Sequence, residues 1–99
     1  MKIFQLIEEG YEEIEISELV TLYKLLDTEN ILFIIDDDNS KVWVWVGKTT
    51  STKNKFISAQ LAIEIRDKHG LTYNIITVDE DSEPEEFMDI ISLEEDLVV

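Results

Sequence analysis

The chain has 99 residues, no cysteine and a formal net charge of −15. That length holds one domain, residues 1–99, with a core that removes roughly 60–65% of the unfolded surface from water, and the missing thiols exclude a disulfide frame or a thiolate metal site. The negative charge argues against nucleic acid or a membrane surface as partner; no apolar run approaches the roughly 18 residues of a membrane span, and MKIFQLIEEGYEE turns acidic too early for a secretory signal, so a soluble cytoplasmic protein is expected.

In chain order, residues 2–7 (KIFQLI) and 12–17 (EEIEIS) alternate or nearly alternate apolar with polar side chains around Gly10 and Tyr11, which suits a bent strand or hairpin at a sheet edge. Residues 18–26 (ELVTLYKLL) suit either a short helical turn or a loop with buried leucines. Residues 31–35 (ILFII) and 42–46 (VWVWV) are uninterrupted apolar runs joined by the polar turn DDDNSK. Runs apolar on both faces predict central strands covered on both sides, here a hairpin in the middle of the sheet.

Residues 47–70 read as a long helix with a polar entry and a closing glycine. At about 100° per residue, Ile57, Ser58, Leu61, Ala62 and Ile65 share one direction, whereas Phe56, Ala59, Gln60, Ile63 and Asp67 share the opposite one. Either protein covers both faces, or the second stripe meets a partner. A thin layered domain seldom covers a helix twice, and contiguous exposed apolar residues mark interaction sites, which favours the partner. The same segment carries five bases (Lys48, Lys53, Lys55, Arg66, Lys68) against two acids (Glu64, Asp67), a balance of +3 against −18 for the remainder. Those bases either offset acidic edges of the protein itself or meet an acidic partner.

Residues 73–78 predict a third buried strand, and a helix between it and residues 42–46 makes a parallel crossover in a mixed sheet. Ser82 and Glu85 have capping-box spacing, Pro84 suits a first turn, and acids fill that turn, so a short helix is predicted at about residues 84–91. The tail EEDLVV suits a last strand.

Several motifs resemble chemistry without completing it. GKTT (47–50) looks like the end of a phosphate-binding loop, but Val42 stands where that loop needs a glycine. Asp36, Asp38 and Ser40 have the opening spacing of a calcium loop, but Lys41 and Gly47 replace its glycine and closing glutamate. His69, the single histidine, falls in the last helical turn, where it suits the final carbonyls rather than catalysis. Trp43 and Trp45 share one strand face and are expected in the core. No enzyme and no cofactor are expected.

Taken in order, MKIFQL, ILFIID, VWVWVGK, a helix closing in IRDKHG, NIITVDE and EDSEPEEF resemble the gelsolin repeat of the gelsolin/villin family, which is related in fold to cofilin-type actin-depolymerising domains. Members read similar to RLFQV, FILD, aromatic-x-W-x-G, a helix ending near IRD, and V-x-x-x-E/D-G-x-E-P. The resemblance implies an α+β fold, a five-stranded mixed β-sheet sandwiched between one long and one short α-helix. It also implies an actin-binding protein whose long helix enters the cleft between actin subdomains 1 and 3. The implied actin-binding residues are Lys53, Phe56, Ala59, Gln60, Ile63, Glu64 and Asp67.

Two departures qualify that expectation. Calcium-binding repeats place an aspartate just before the FILD-like strand and a glutamate seven residues after the W-x-G glycine, where this chain has Ile31 and Asn54. Losing both carboxylates removes most of the charge such a site needs, so no calcium site of that type is expected. Severing gelsolins join several repeats, whereas this chain has one; a monomer that sequesters, caps or depolymerises actin is therefore expected rather than a strong severing protein. The alternative is a non-actin interaction or scaffold module of gelsolin-like fold, as in vesicle coats.

Overall fold

Two neighbouring strands without a polar face require cover above and below, and this requirement sets the architecture. A computed structural model describes residues 2–15 and 25–96 of the chain. Among the described residues, β1 (Lys2–Ile7), β2 (Gly10–Ile14), β3 (Ile31–Asp36), β4 (Lys41–Val46) and β5 (Asn74–Asp79) form one sheet in the order β2-β1-β3-β4-β5. Helices α1 (Thr52–His69) and α2 (Glu85–Asp96) cover its two faces. β1, β2, β3 and β4 pair antiparallel, and β5 pairs parallel to β4, so the sheet is mixed.

Alternation along the strands sorts the apolar residues into two cores. Phe4, Ile31, Phe33, Ile35, Val42, Val44 and Val46 face α1, which contributes Ala62 and Ile65. Ile3, Leu32, Ile34, Trp43, Trp45 and Val78 face α2, which contributes Phe87. Both tryptophans lie in this second core with their indole N–H groups satisfied: Trp43 donates to Asp36 at 3.3 Å and Trp45 to Glu83 at 3.0 Å. Phe87 packs on Trp43 with ring centroids 5.6 Å apart.

Several boundaries differ from the sequence expectation. The first hairpin turns at Glu8 and Glu9, with Glu8 at φ 46°, so Gly10 and Tyr11 already belong to β2. Tyr11 is drawn into the strand by edge-to-face packing on Phe4 and Phe33. The strand expected at 73–78 is observed as β5, an edge strand in which Val78 alone is fully buried, because only β4 flanks it. α2 is longer than the short helix expected at about residues 84–91 and begins after Pro84, whose carbonyl accepts from the Phe87 and Met88 N–H groups. Ser82 does not close a capping box; its own N–H donates to the Asp79 carbonyl. Glu94, Glu95 and Asp96, expected to begin a strand, end α2, and residues 97–99 lie outside the described residues. The segment expected as a helical turn or loop, 18–26, also lies outside them except for Leu25 and Leu26, which pack against the α2-side core.

Gly47 follows β4 where the chain passes close to the backbone of residues 28–30. Its N–H donates to the Asn30 carbonyl at 2.9 Å, and a Cβ placed on it would lie 2.3 Å from the Thr28 carbonyl oxygen. A Cβ at Gly10, by contrast, meets nothing nearer than 4.0 Å. Gly47→Ala is expected to cost about 1–3 kcal/mol in urea denaturation, whereas Gly10→Ala stays within about 0.5 kcal/mol of the parent; equal stability of the two variants contradicts the close approach.

Candidate functional site

The site is built on α1, and the chain fixes that helix at both ends. After Gly47, Thr49 donates from both its N–H (3.0 Å) and its hydroxyl (2.9 Å) to the Thr28 carbonyl, and the Ser51 side chain caps the helix by accepting from the Asn54 N–H at 3.0 Å. At the other end the Gly70 N–H donates to the Arg66 carbonyl, and His69 Nδ1 donates to the Ile65 carbonyl at 2.9 Å. The His69 ring rests edge-on against Phe4. Arg66, Lys68 and His69 place basic groups in the last turn, where the helix dipole favours them.

Between these anchors α1 seats one narrow stripe on the sheet. Ser58, Ala62 and Ile65 are buried and Ile57 and Leu61 half-buried, while the Ser58 hydroxyl is satisfied by the Lys55 carbonyl at 2.7 Å. The residues expected to meet a partner, Lys53, Phe56, Ala59, Gln60, Ile63, Glu64 and Asp67, are all exposed on the opposite side. Phe56 keeps 67% and Ile63 48% of its surface accessible, although burial is the ordinary state of both residue types. Seven positions apart, they lie about 10 Å from one another along the axis.

A groove runs along each flank of this crest. One, of about 580 Å³, lies toward the first hairpin and is lined by Glu9, Thr52, Lys53, Phe56, Ile57, Gln60 and Leu61. The other, of about 320 Å³, lies between α1 and the edge strand, lined by Lys55, Ser58, Ala59, Ala62 and Ile63 from the helix and by Val44, Val46, Ile75, Thr77 and Asp79 from the sheet. Helical periodicity locates the crest but not the grooves. The residues that line them opposite α1 come from Glu9 at a hairpin tip and from β4 and β5, which are remote in sequence.

The basic residues near the helix are largely matched by acids of the same chain. Lys53 faces Glu9 at 3.6 Å, Lys68 faces Glu64 at 3.8 Å, Arg66 bonds Asp67 at 3.2 Å, and Lys48 pairs with Asp81. The Asp81 hydrogen bond and charge hold the Lys48 ammonium above its usual range, and Tyr11, whose hydroxyl accepts from Lys68 at 3.0 Å, does the same for Lys68. Asp36, which opens the calcium-like turn, instead accepts from Asn39 at 2.8 Å and from Trp43. Ile31 is buried in the core beneath α1, and Asn54 sits half-buried in the first helical turn. Among the described residues, no group of three or more His, Asp or Glu side chains is arranged to hold a metal ion.

The family model of the gelsolin repeat matches residues 23–88, about two thirds of the chain. This chain belongs to the gelsolin repeat family. The structure of this gelsolin repeat is similar to that in the crystal structure of the Thorarchaeota ProGel/rabbit actin complex, with a TM-score of 0.80 and 23% identity over 91% of this chain and 97% of that one. It is also similar to the Thorarchaeota 2DGel3/rabbit actin complex, with a TM-score of 0.70 and 16% identity over 91% of this chain but 42% of that one. At these identities the likeness is one of fold. No curated protein sequence matches the chain significantly.

The return from α1 into β5 is held by Tyr73, whose N–H donates to the Gly70 carbonyl and whose hydroxyl donates to Asp37 at 2.6 Å. That hydrogen bond, reinforced by desolvation and by the charges of Asp37 and Asp36, raises the Tyr73 pKa above its ordinary value of about 10. A hydroxyl whose folded pKa is raised stabilises the fold fully below its unfolded pKa, and the contribution disappears as pH rises through the folded value. The stability difference between the parent and Tyr73→Phe, measured by urea denaturation, is therefore expected to be constant near neutrality and to shrink above about pH 10. A difference that grows with alkalinity contradicts this.

Proposed function

We propose that this chain is an actin-binding protein that lays the crest of α1 into the cleft between actin subdomains 1 and 3. The observation that carries the reading is the pair Phe56 and Ile63, exposed on a rigidly capped helix whose other stripe is already used by the sheet. Family membership and the two similar folds solved with rabbit actin support it. A crest with a groove on each flank suits a two-lobed cleft: Phe56 and Ile63 enter it and the lobes settle beside them. Lys53, Ala59, Gln60, Glu64 and Asp67 form the surrounding rim, where polar contacts set register more than affinity.

The action is non-catalytic and needs no cofactor. One actin-binding helix within these residues suits sequestration of monomers, capping of ends or weak depolymerisation better than strong severing. The net charge of −15 disfavours self-association, and an intracellular, cytoplasmic setting follows from the partner. Binding is calcium-independent at the family's conserved site, because Ile31 and Asn54 supply no carboxylate there. Among the described residues, no helix is long and apolar enough to cross a membrane.

Burying Phe56 or Ile63 in the complex contributes at most about 1.5–3 kcal/mol each. Ile63→Asp is expected to weaken actin binding by tenfold or more in co-sedimentation and monomer-polymerisation assays, while circular dichroism and urea stability match the parent. Undiminished binding by this variant refutes the assignment of the face. Calorimetry of the chain without actin is expected to give no micromolar calcium binding, and uptake of one calcium per chain at that affinity overturns the calcium prediction.

A further inference from the structure

β5 is an edge strand, and the direction of its backbone groups follows from its two ends. The Asn74 N–H donates to the Ser40 carbonyl at 3.0 Å and the Glu80 N–H to the Val46 carbonyl at 2.9 Å, both toward β4. Successive residues of a strand turn their N–H and C=O to opposite sides. Ile76 and Val78 therefore also address β4, whereas Ile75 and Thr77 turn both groups outward. Among the described residues β5 pairs with β4 alone, and neither Ile75 nor Thr77 has another backbone partner. Between Asn74 and Asp79 the strand reads Ile-Ile-Thr-Val, without the charge, proline or glycine that blunts an edge. Ile75 on the α1 side and Ile76 on the α2 side are each half-buried, so one more strand covers both.

Both ends of this uncharged run are acidic. At its start the turn that holds Asp37 and Asp38 adjoins Asn74, and the base there, Lys41, pairs with Glu86. At its end Asp79, Glu80 and Asp81 meet two bases, Lys48, which pairs with Asp81, and Lys55, which lines a groove with Asp79. Acids exceed bases at either end. A second copy of β5 brings the same acids and is repelled, whereas a strand with Lys or Arg at its ends is attracted. We propose that the open edge of β5 docks an extended basic segment of a protein partner. The segment adds a strand to the sheet through the N–H and C=O groups of Ile75 and Thr77, and its apolar side chains cover Ile75 and Ile76. This surface is separate from the Phe56 and Ile63 crest and does not rest on the actin reading.

The test follows backbone amide exchange by NMR in the full chain, alone and with the synthetic peptides KKTVTITVKK and EETVTITVEE. In the free chain the Ile75 and Thr77 amides are expected to exchange fast and those of Ile76 and Val78 slowly. Saturating KKTVTITVKK is expected to slow Ile75 and Thr77 at least about tenfold, with tighter binding at low salt, and EETVTITVEE to leave them unchanged. Thr77→Pro is expected to abolish the protection at unchanged urea stability, since a proline is tolerated where an edge N–H faces outward. Asp79→Lys, which alters only an exposed side chain, is expected to narrow the preference for the basic peptide. Fast exchange of Ile75 and Thr77 in the presence of KKTVTITVKK overturns the docking site. Equal protection by both peptides overturns selection by charge. Protection that rises with protein concentration, together with dimers in sedimentation, gives the edge to a second copy and overturns the basic partner.

Discussion

The structure depends on the fact that β3 and β4 have no polar face. Ile31 to Ile35 and Val42 to Val46 present apolar side chains in both directions, and all are essentially inaccessible. Such a pair is unstable unless both faces are covered, and a chain of 99 residues has little material with which to cover them. α1 covers one face and α2 the other. The pairing of β1 and β2 on one side and of β5 on the other extends the sheet just far enough for each helix to sit across its middle.

Thin cover explains why α1 has a free side. It reaches the sheet through Ser58, Ala62 and Ile65, and the two small residues let the helix lie low over Val44 and Val46. No further layer exists above it among the described residues. Phe56 and Ile63 therefore remain in water, where each forgoes about 1.5–3 kcal/mol of burial that an interior position would supply. The two stripes oppose each other, so the helix as a whole is almost unpolarised even though each side is sharply defined.

That opposition was legible because helical spacing is local: the positions from Phe56 to Asp67 fall on the expected side without tertiary information. The central hairpin was legible for a similar reason, since residues apolar in both directions leave a strand few alternatives. The errors fall where distant contacts decide. Tyr11 joins β2 because Phe4 and Phe33 give its ring a seat, which no turn rule could reveal. β5 has an apolar sequence like that of an interior strand, yet it is an edge, because strand order depends on the crossover rather than on composition. Glu94, Glu95 and Asp96 end α2 instead of opening the strand expected from EEDLVV. The grooves were invisible for the same cause, each having one wall on α1 and the other on a remote element.

A rigid helix suits this kind of recognition better than a loop with the same side chains. Ser51 closes the N-terminus of α1, the Gly70 N–H and His69 satisfy carbonyls at its C-terminus, and Gly47 brings its entry against the 28–30 backbone. The crest is consequently held in one geometry, and association through it, as proposed, does not bear the ordering entropy that a flexible segment would lose. On the proposed reading, what remains to be supplied is removal of water from Phe56 and Ile63. Neither side chain belongs to the core that α1 covers, so the exposed stripe can change without disturbing that core.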